Sequence, residues 1–318
     1  MKQTILKYSS LLALLSVPFF STQTFAAECA TGTVPATGCR IAVSDITYTL
    51  TGDITSGPEG AGIYFASDNA IVNYTGAISV STVGVGFDVN DDNNTMNMTG
   101  DIRITAGVGA YGIYFRFSDN NILNLTGNII TANEDGIGVL DQGSSSNTSV
   151  VEGDITTTGV RGYGIAIDNS NLSNHTLSGN ITTAGDNAHS IYLLTASESN
   201  TINITGNITT AGDNAHGIYN RDSNSNTYNV IGNISTTGDN GRGLFIRGSD
   251  SNTINMTGNI TTKGDGSYGM RLNGSNSNDI TITGNITTAG TNAYGLYINQ
   301  SNSNTTNLTG NITTAGTN

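Results

Sequence analysis

The amino-acid sequence predicts an all-β fold, a parallel β-helix (β-solenoid) with about 26 residues per three-strand coil. Three observations lead to this prediction. A Gly-[Asn/Asp/Ala]-Ile motif recurs from Gly52 to Gly310 in steps of 24 to 27 residues. Each repeat carries three short strand patterns, and polar corners rich in Gly, Asn and Ser separate them. A fixed period of this size is typical of stacked repeats, in which each unit is stable only against its neighbours.

One repeat illustrates the three strands in order. Residues 201–205 alternate polar and apolar side chains, which is the pattern of a half-buried strand. Residues 208–210 form a second short strand after a Gly-Asn turn, and a third strand begins at Gly217. The corners contain residues that tolerate a left-handed backbone. The usual chirality of parallel connections predicts a right-handed coil.

Two apolar columns two residues apart follow the second glycine of each repeat, and we expect both to stack inside the coil. The first column comprises Ile63, Phe87, Ile113, Ile137, Ile165, Ile191, Ile218, Leu244, Met270 and Leu296. The second column comprises Phe65, Val89, Phe115, Val139, Ile167, Leu193, Asn220, Ile246, Leu272 and Ile298. Only Asn220 is polar. A recurring asparagine before the first strand is expected to form an amide ladder from coil to coil; its members are Asn200, Asn226, Asn252, Asn278 and Asn304.

The chain divides into three segments. Residues 1–26 have a basic start, a short apolar run and a small-residue cleavage region, which predicts a secretory signal peptide. Residues 27–46 are predicted to form an N-terminal cap with a disulfide between Cys29 and Cys39, because cysteines pair in exported chains. Residues 47–318 are the repeat solenoid, which we expect to be truncated part way through an eleventh coil.

The charge balance limits the partners. Without residues 1–26 the chain has 24 acidic against nine basic residues, a net charge of about −15. Such a surface repels nucleic acid and anionic lipid, so neither is an expected partner. No nucleotide-binding or nucleophile motif occurs in the sequence. The sequence predicts no cofactor.

An export signal, a short cysteine-containing segment and Gly-Asn-Ile-Thr coils resemble the passenger region of an autotransporter (type V secretion) or a related β-helical surface adhesin. The resemblance covers most of residues 27–318. It implies export through the periplasm and display at the outer membrane, the cell surface or the extracellular space. It also implies an outer-membrane translocator barrel, which is missing from this chain. The function that follows is an adhesive or structural rod that contacts a surface glycan or protein; it is not an enzyme.

Aromatic residues between the two core columns are predicted to face outward and to form a candidate binding strip. The strip comprises Tyr64, Tyr114, Tyr192, Tyr219, Phe245 and Tyr297. The residue before the second glycine widens it with Tyr111, Tyr163, His189, His216, Arg242, Tyr268 and Tyr294. Aromatic faces suit sugars and partner proteins. The alternative is that exposed strands simply favour tyrosine.

Other chemistry has weaker support in the sequence. His189 and His216 lie one coil apart, each near an aspartate, but the same position then becomes Arg242, which does not preserve a metal site. The acidic residues 88–92 lack the glycine and glutamate of a calcium loop and are predicted to form a solvated corner. The sequence therefore predicts no metal.

Two alternative functions remain open at this stage. A β-helix enzyme acting on polysaccharides would need clustered acids that break the repeat, and no coil has them. A soluble ice-binding solenoid would use stacked threonines of the Ile-Thr-Thr motif, as at residues 181–183 and 208–210. Because neighbouring side chains of a strand alternate, only one threonine of each pair can face outward.

Overall fold

The computed structural model describes residues 27–55, 60–81, 84–105 and 107–316. Within these residues the chain forms a β-solenoid of three parallel sheets, with about ten turns of about 26 residues each and no helix. The predicted fold class is therefore confirmed. The predicted signal peptide lies outside the described residues. The described part contains no helix of the length and apolarity needed to cross a membrane.

Each coil contributes one strand to each of three sheets, which we number in the order that the chain visits them. Sheet 1 contains β1 (Gly32–Thr33), β3 (Thr47–Thr51), β5 (Ile71–Thr75), β8 (Thr95–Thr99), β11 (Ile122–Thr126), β14 (Thr148–Glu152), β17 (Asn174–Ser178), β20 (Thr201–Thr205), β23 (Thr227–Ile231), β26 (Thr253–Thr257), β29 (Asp279–Thr283) and β32 (Thr305–Thr309).

Sheets 2 and 3 are formed by the second and third strands of the coils. Sheet 2 contains β6 (Ile78–Val80), β9 (Ile102–Ile104), β12 (Ile129–Thr131), β15 (Ile155–Thr157), β18 (Ile181–Thr183), β21 (Ile208–Thr210), β24 (Ile234–Thr236), β27 (Ile260–Thr262), β30 (Ile286–Thr288) and β33 (Ile312–Thr314). Sheet 3 contains β2 (Cys39–Ile41), β4 (Ile63–Phe65), β7 (Val85–Val89), β10 (Tyr111–Arg116), β13 (Ile137–Gln142), β16 (Ile165–Asp168), β19 (Ile191–Leu194), β22 (Ile218–Arg221), β25 (Arg242–Arg247), β28 (Tyr268–Asn273) and β31 (Tyr294–Asn299).

The hydrophobic core runs along the axis of the coil. Alternate residues of each strand point inward, so that Ile202 and Ile204 of β20 are buried while their neighbours are not. One continuous cluster of buried side chains extends from Cys29 to Ile286. An isolated coil would leave both of its strand edges unpaired, and stacking supplies both the core and the hydrogen bonds.

The predicted asparagine ladder is present at the corner before sheet 1. The side-chain oxygen of Asn252 accepts a hydrogen bond from the backbone N–H of Asn226, at 2.8 Å, and its amide nitrogen donates to Asn278 Oδ1, at 3.0 Å. Asn252 and Asn226 are both fully buried. The ladder therefore satisfies backbone donors that the corner would otherwise leave without partners.

The glycine of the repeated motif is fixed by the stacking of the coils. Gly258 has φ = +144°, and a Cβ atom placed there would lie 2.0 Å from the carbonyl oxygen of Gly232 in the preceding coil. No other residue fits a backbone approach of this kind. The glycine period is thus a direct consequence of coil-to-coil contact.

The segment 27–46 forms part of the solenoid. Cys29 and Cys39 are joined by a disulfide. Cys39 and Ile41 of β2 pair with Ile63 and Phe65 of β4, in register with the apolar columns of the later coils. The segment predicted as a cap therefore supplies the first strands of sheets 1 and 3.

The alignment of one coil differs from the prediction. Val139 pairs with Ile113, and Asp141 pairs with Phe115, whereas Ile137 lies opposite Tyr111. The prediction that Ile137 and Val139 occupy the two core columns is therefore wrong, because Val139 and Asp141 occupy them. The reason is that this coil has two glycines, Gly136 just before β13 and Gly138 within it, and the second of them aligns with the glycines of the neighbouring coils.

Candidate binding face

The outer face of sheet 3 carries two adjacent columns of large side chains, which together we call the outer layer. Outer column 1 contains the residue two positions before the first core column, from β7 onward: Val85, Tyr111, Ile137, Tyr163, His189, His216, Arg242, Tyr268 and Tyr294. Outer column 2 contains the residue between the two core columns: Tyr64, Asp88, Tyr114, Leu140, Ala166, Tyr192, Tyr219, Phe245, Arg271 and Tyr297.

The six residues of the predicted binding strip all lie in outer column 2, outside the main core. However, Tyr192, Tyr219 and Phe245 are buried, and they form a hydrophobic cluster of their own. The expectation that these three rings are displayed at the surface is wrong. The physical reason is that the side chains of outer column 1 fold over the same face and cover them.

Ring stacking holds the middle of the outer layer together. In outer column 1, His189 and His216 stack with centroids 4.7 Å apart and an interplanar angle of 12°. In outer column 2, Tyr192 and Tyr219 stack at 5.1 Å and 8°. The two columns meet edge to face, as between His189 and Tyr192 at 4.8 Å. Offset and edge-to-face contacts are the favoured aromatic geometries, so this region is a packed layer.

The two stacked histidines are neutral. The backbone N–H of His216 donates to His189 Nδ1 at 3.1 Å, and the backbone N–H of Arg242 donates to His216 Nδ1 at 3.2 Å. Burial, with a smaller contribution from Arg242, lowers the pKa of His189 to about 3. Burial also lowers the pKa of His216 well below its ordinary value, with the His189 charge as the next cause. The Nη1 atom of Arg242 lies 3.2 Å from His216 Nε2. Protonation of His216 would therefore place a second positive charge beside this guanidinium.

Towards the later coils, arginines replace rings in both columns. The Cζ atom of Arg242 lies 4.7 Å from the centroid of Phe245 and 5.3 Å from that of Tyr268. The Cζ atom of Arg271 lies 5.2 Å from Phe245 and 5.6 Å from Tyr297. These distances are within the range of cation–π interactions, so each guanidinium is held between aromatic faces.

The rings of the outer layer are half-buried towards both ends of the face and buried in its middle. Tyr268, Tyr297, Arg242 and Arg271 are half-buried, and Tyr294 is 41% exposed. Accessible aromatic surface therefore lies on both sides of the buried middle, and Tyr294 and Tyr297 belong to β31, the edge strand of sheet 3.

In the earlier coils, charged and polar side chains of the outer layer pair with one another. Arg116 lies 3.3 Å from the carboxylate of Asp88, whose pKa burial raises to about 6 although Arg116 opposes the shift. The hydroxyl of Tyr114 donates to Gln142 at 2.5 Å. Tyr64 and Tyr114 are half-buried.

A polar cluster that the sequence analysis missed lies inside the coil. Ser149 Oγ is 2.7 Å from His175 Nδ1, and His175 Nε2 is 3.4 Å from Asp141 Oδ2. Asn147 Nδ2 donates to Asp141 Oδ1 at 3.2 Å. All four side chains are buried, so a substrate cannot reach them. The signal in the sequence was the polar character of Asp141, Ser149 and His175, at positions where most other coils have apolar residues.

The outer face of sheet 1 offers a different surface. Each typical strand presents a Thr-x-Asn-x-Thr pattern, as in β20, where Thr201, Asn203 and Thr205 alternate with buried isoleucines. The asparagines form a second ladder, in which Asn229 Nδ2 donates to Asn203 Oδ1 at 2.8 Å. On sheet 2 only the middle threonine of each Ile-Thr-Thr motif faces outward: Thr182 is exposed and its neighbour is buried.

Searches of protein-family models, curated proteins and solved structures each return no match to this chain.

Proposed function

We propose that this protein is an exported, surface-displayed rod that acts by projection and multivalent contact. The observation that carries the proposal is the unbroken stacking of the coils along one hydrophobic core. Coils about 4.8 Å apart give ten turns a length of roughly 50 Å. A stiff rod of this kind holds its side faces away from its point of attachment.

Repetition makes each face of the rod multivalent. Residues at equivalent positions recur once per coil, so a ligand with its own repeat can contact several coils together. Linked contacts raise the apparent affinity without any single strong contact. The predicted partner is a surface glycan or protein, and the accessible part of the outer layer, with Tyr268, Tyr294 and Tyr297, is the surface we assign to it.

The resemblance to autotransporter passengers gives this rod its cellular setting. We propose that residues 1–26 direct export, that the rod is passed to the outer membrane or beyond, and that a translocator barrel acts as its partner. These proposals rest on the pattern of residues 1–26 and on the style of the repeats.

The test of this proposal has two parts. The full chain is expressed in a Gram-negative host, and we expect the exported form to begin after Ala26 with the Cys29–Cys39 disulfide formed. The fluorescently labelled product is then applied to bacterial and host cells and to glycan and protein arrays. Retention of the full chain in the cytoplasm, or no binding to any of these surfaces, would contradict the proposal.

A second candidate function, ice binding, is favoured by the outer face of sheet 1. Its three columns of threonine and asparagine side chains are regularly spaced, and the asparagine ladder orders the middle column. Thermal hysteresis of the purified protein tests this function. A Thr205→Lys variant places a long charged side chain in the array and should abolish the hysteresis, whereas Thr209→Lys on sheet 2 should preserve it.

A further inference from the structure

We propose that the outer face of sheet 3 in coils 242–299 binds an acidic polysaccharide, one that carries carboxylate or sulfate groups. Arg242 and Arg271 would hold the anionic groups, and the accessible rings of Tyr294 and Tyr297 would lie against the sugar. The inference names the ligand class of the adhesive rod and so rests on the proposed function.

Arg242 and Arg271 have no counter-ion among the residues that the structure describes. Neither Arg242 nor Arg271 forms an ion pair in the described part of the chain, and the Nε atom of each is buried with no hydrogen-bond partner there. By contrast, Arg161 lies 2.6 Å from Asp135, and Arg116 lies 3.3 Å from Asp88. The Nη1 atom of Arg242 donates to the carbonyl oxygen of Asn240 at 3.2 Å. The other terminal N–H groups of the two half-buried guanidiniums suit a planar anion, which a guanidinium binds through two parallel hydrogen bonds.

The aromatic rings hold the guanidiniums of Arg242 and Arg271 in place before any ligand binds. The Tyr268 centroid is 5.3 Å from the Cζ atom of Arg242 and 5.5 Å from that of Arg271, so one ring contacts both guanidiniums. Packing of this kind limits the rotation of both side chains. Binding then costs less conformational entropy than it would with two free surface arginines.

The two guanidiniums also repel each other. Burial lowers the pKa of Arg242 to about 10, and the nearby positive charge of Arg271 is the next cause. Two positive charges are therefore held close together in a partly dehydrated place, where they repel each other. An anion bound between them removes this repulsion, and the local attraction is stronger than in bulk water because solvent screening is reduced.

The positive charges are clustered on neighbouring strands of one sheet. Arg221, Arg242, Arg247 and Arg271 belong to three consecutive strands of sheet 3, in a chain that is otherwise strongly acidic. The positive patch of these arginines is small, because the corners of the same coils carry the negative charges of Asp239 and Asp265. A long, densely charged nucleic acid would be repelled by the rest of the rod. A short acidic segment of a glycan meets only the patch, and its ring faces suit the accessible tyrosines.

The experiment measures binding of defined oligosaccharides to the full exported chain by isothermal titration calorimetry. The probes are an oligogalacturonate, a heparin-derived oligosaccharide and a neutral dextran oligomer, in buffer of about 20 mM and about 150 mM salt. We expect binding of one or both acidic probes, weaker at the higher salt, and none of the neutral probe. The variant R242Q/R271Q should bind at least about tenfold more weakly.

Two further variants make the result specific. R161Q removes an arginine that is paired with carboxylates, and its affinity should stay within about twofold of the unchanged protein. R242K/R271K keeps both charges but loses the planar fork, so its affinity should fall between those of the unchanged chain and the glutamine pair. This lysine pair also serves as the test if the glutamine pair does not fold, which its thermal unfolding will reveal.

Four results would overturn the inference: no binding of either acidic probe at low salt, equal binding of the neutral probe, undiminished binding by both double variants, or tighter binding of a single-stranded DNA oligomer. Binding of the rod to cells that persists unchanged in R242Q/R271Q would leave the adhesive function standing and refute its acidic ligand. If the unchanged protein bound neither cells nor either acidic probe, the adhesive function and its acidic ligand would be refuted together.

Discussion

Asp141 and His175 meet inside the coil, with the Oδ2 atom of the carboxylate 3.4 Å from Nε2 of the imidazole, and neither side chain is accessible to solvent. They come from different sheets and successive coils. Asp141 occupies the core column between Phe115 and Ile167, where every other coil except that of Asn220 places an apolar residue. Buried polar groups are costly to stability unless they are paired. Replacing one or both members of this pair therefore measures its effect on the stability of the protein.

Replacing only one member of this pair is expected to destabilise the protein. His175→Ile leaves the Oδ2 atom of Asp141 and the hydroxyl of Ser149 without their partner, at a cost of about 3–5 kcal/mol. The double replacement D141I/H175I removes both polar groups and should cost much less than the sum of the two single changes. Urea unfolding of the four proteins gives the coupling energy, and additive effects would contradict this expectation.

Asn220 is the second anomaly of the core, because both polar atoms of its side chain are buried with no hydrogen-bond partner in the described residues. We expect Asn220→Leu to stabilise the protein by about 1–3 kcal/mol, since it removes the desolvation penalty of the amide. The reciprocal control is Leu193→Asn, which places the amide one coil earlier and should destabilise by a similar amount. Urea unfolding measures both changes, and a destabilised Asn220→Leu protein would show that the amide has a partner.

The stacked histidines predict a loss of stability in acid. The folded pKa of His189 is lowered to about 3, against about 6.5 when unfolded, so the unfolded chain binds more protons between these values. The stability associated with the neutral His189 ring is fully present above pH 6.5 and is lost as the pH falls towards 3. We expect the urea midpoint to fall over this window more steeply than in H189F/H216F, which keeps the ring stack but does not titrate there. Parallel pH profiles of the two proteins would refute the role of these rings.

The asparagine ladder is expected to be more important than its surface counterpart. Asn252→Ala removes the acceptor of the buried Asn226 N–H and should destabilise by about 1–3 kcal/mol. The matched control is Asn255→Ala on the outer face of sheet 1, where solvent replaces the lost amide contact, and the change should stay within about 0.5 kcal/mol. Thermal unfolding of the two variants compares them, and equal effects would contradict the distinction.

Much of the fold follows from the sequence because a single stacking rule acts in every coil. The glycine period, the alternation within 201–205 and the asparagine corner each reflect a contact between one coil and the next. The exception at Ile137 arises where two glycine positions compete, so that pattern alone does not determine which one begins the core columns. The pairing in β13 decides in favour of the second, and this brings Asp141 into the core.

The candidate site was predicted less completely, for a different physical reason. Strand alternation places Tyr192, Tyr219 and Phe245 outside the main core, and the structure agrees. Alternation carries no information about whether two outward columns then pack on each other, because this depends on the turn before the strand. The contact between Asp141 and His175 was also beyond the pattern, since the two residues belong to different sheets.

The ladders of hydrogen bonds have a mechanical consequence, because each coil is bonded only to the coil before it and the coil after it. A pulling force applied through the chain would therefore peel the solenoid from a terminus, one coil at a time, without loosening those behind. Each release would free about 26 residues, or about 90 Å of extended chain. Under load the rod would thus yield in equal steps and lengthen several-fold before its last coil opened, which is the behaviour of a tether that absorbs shear.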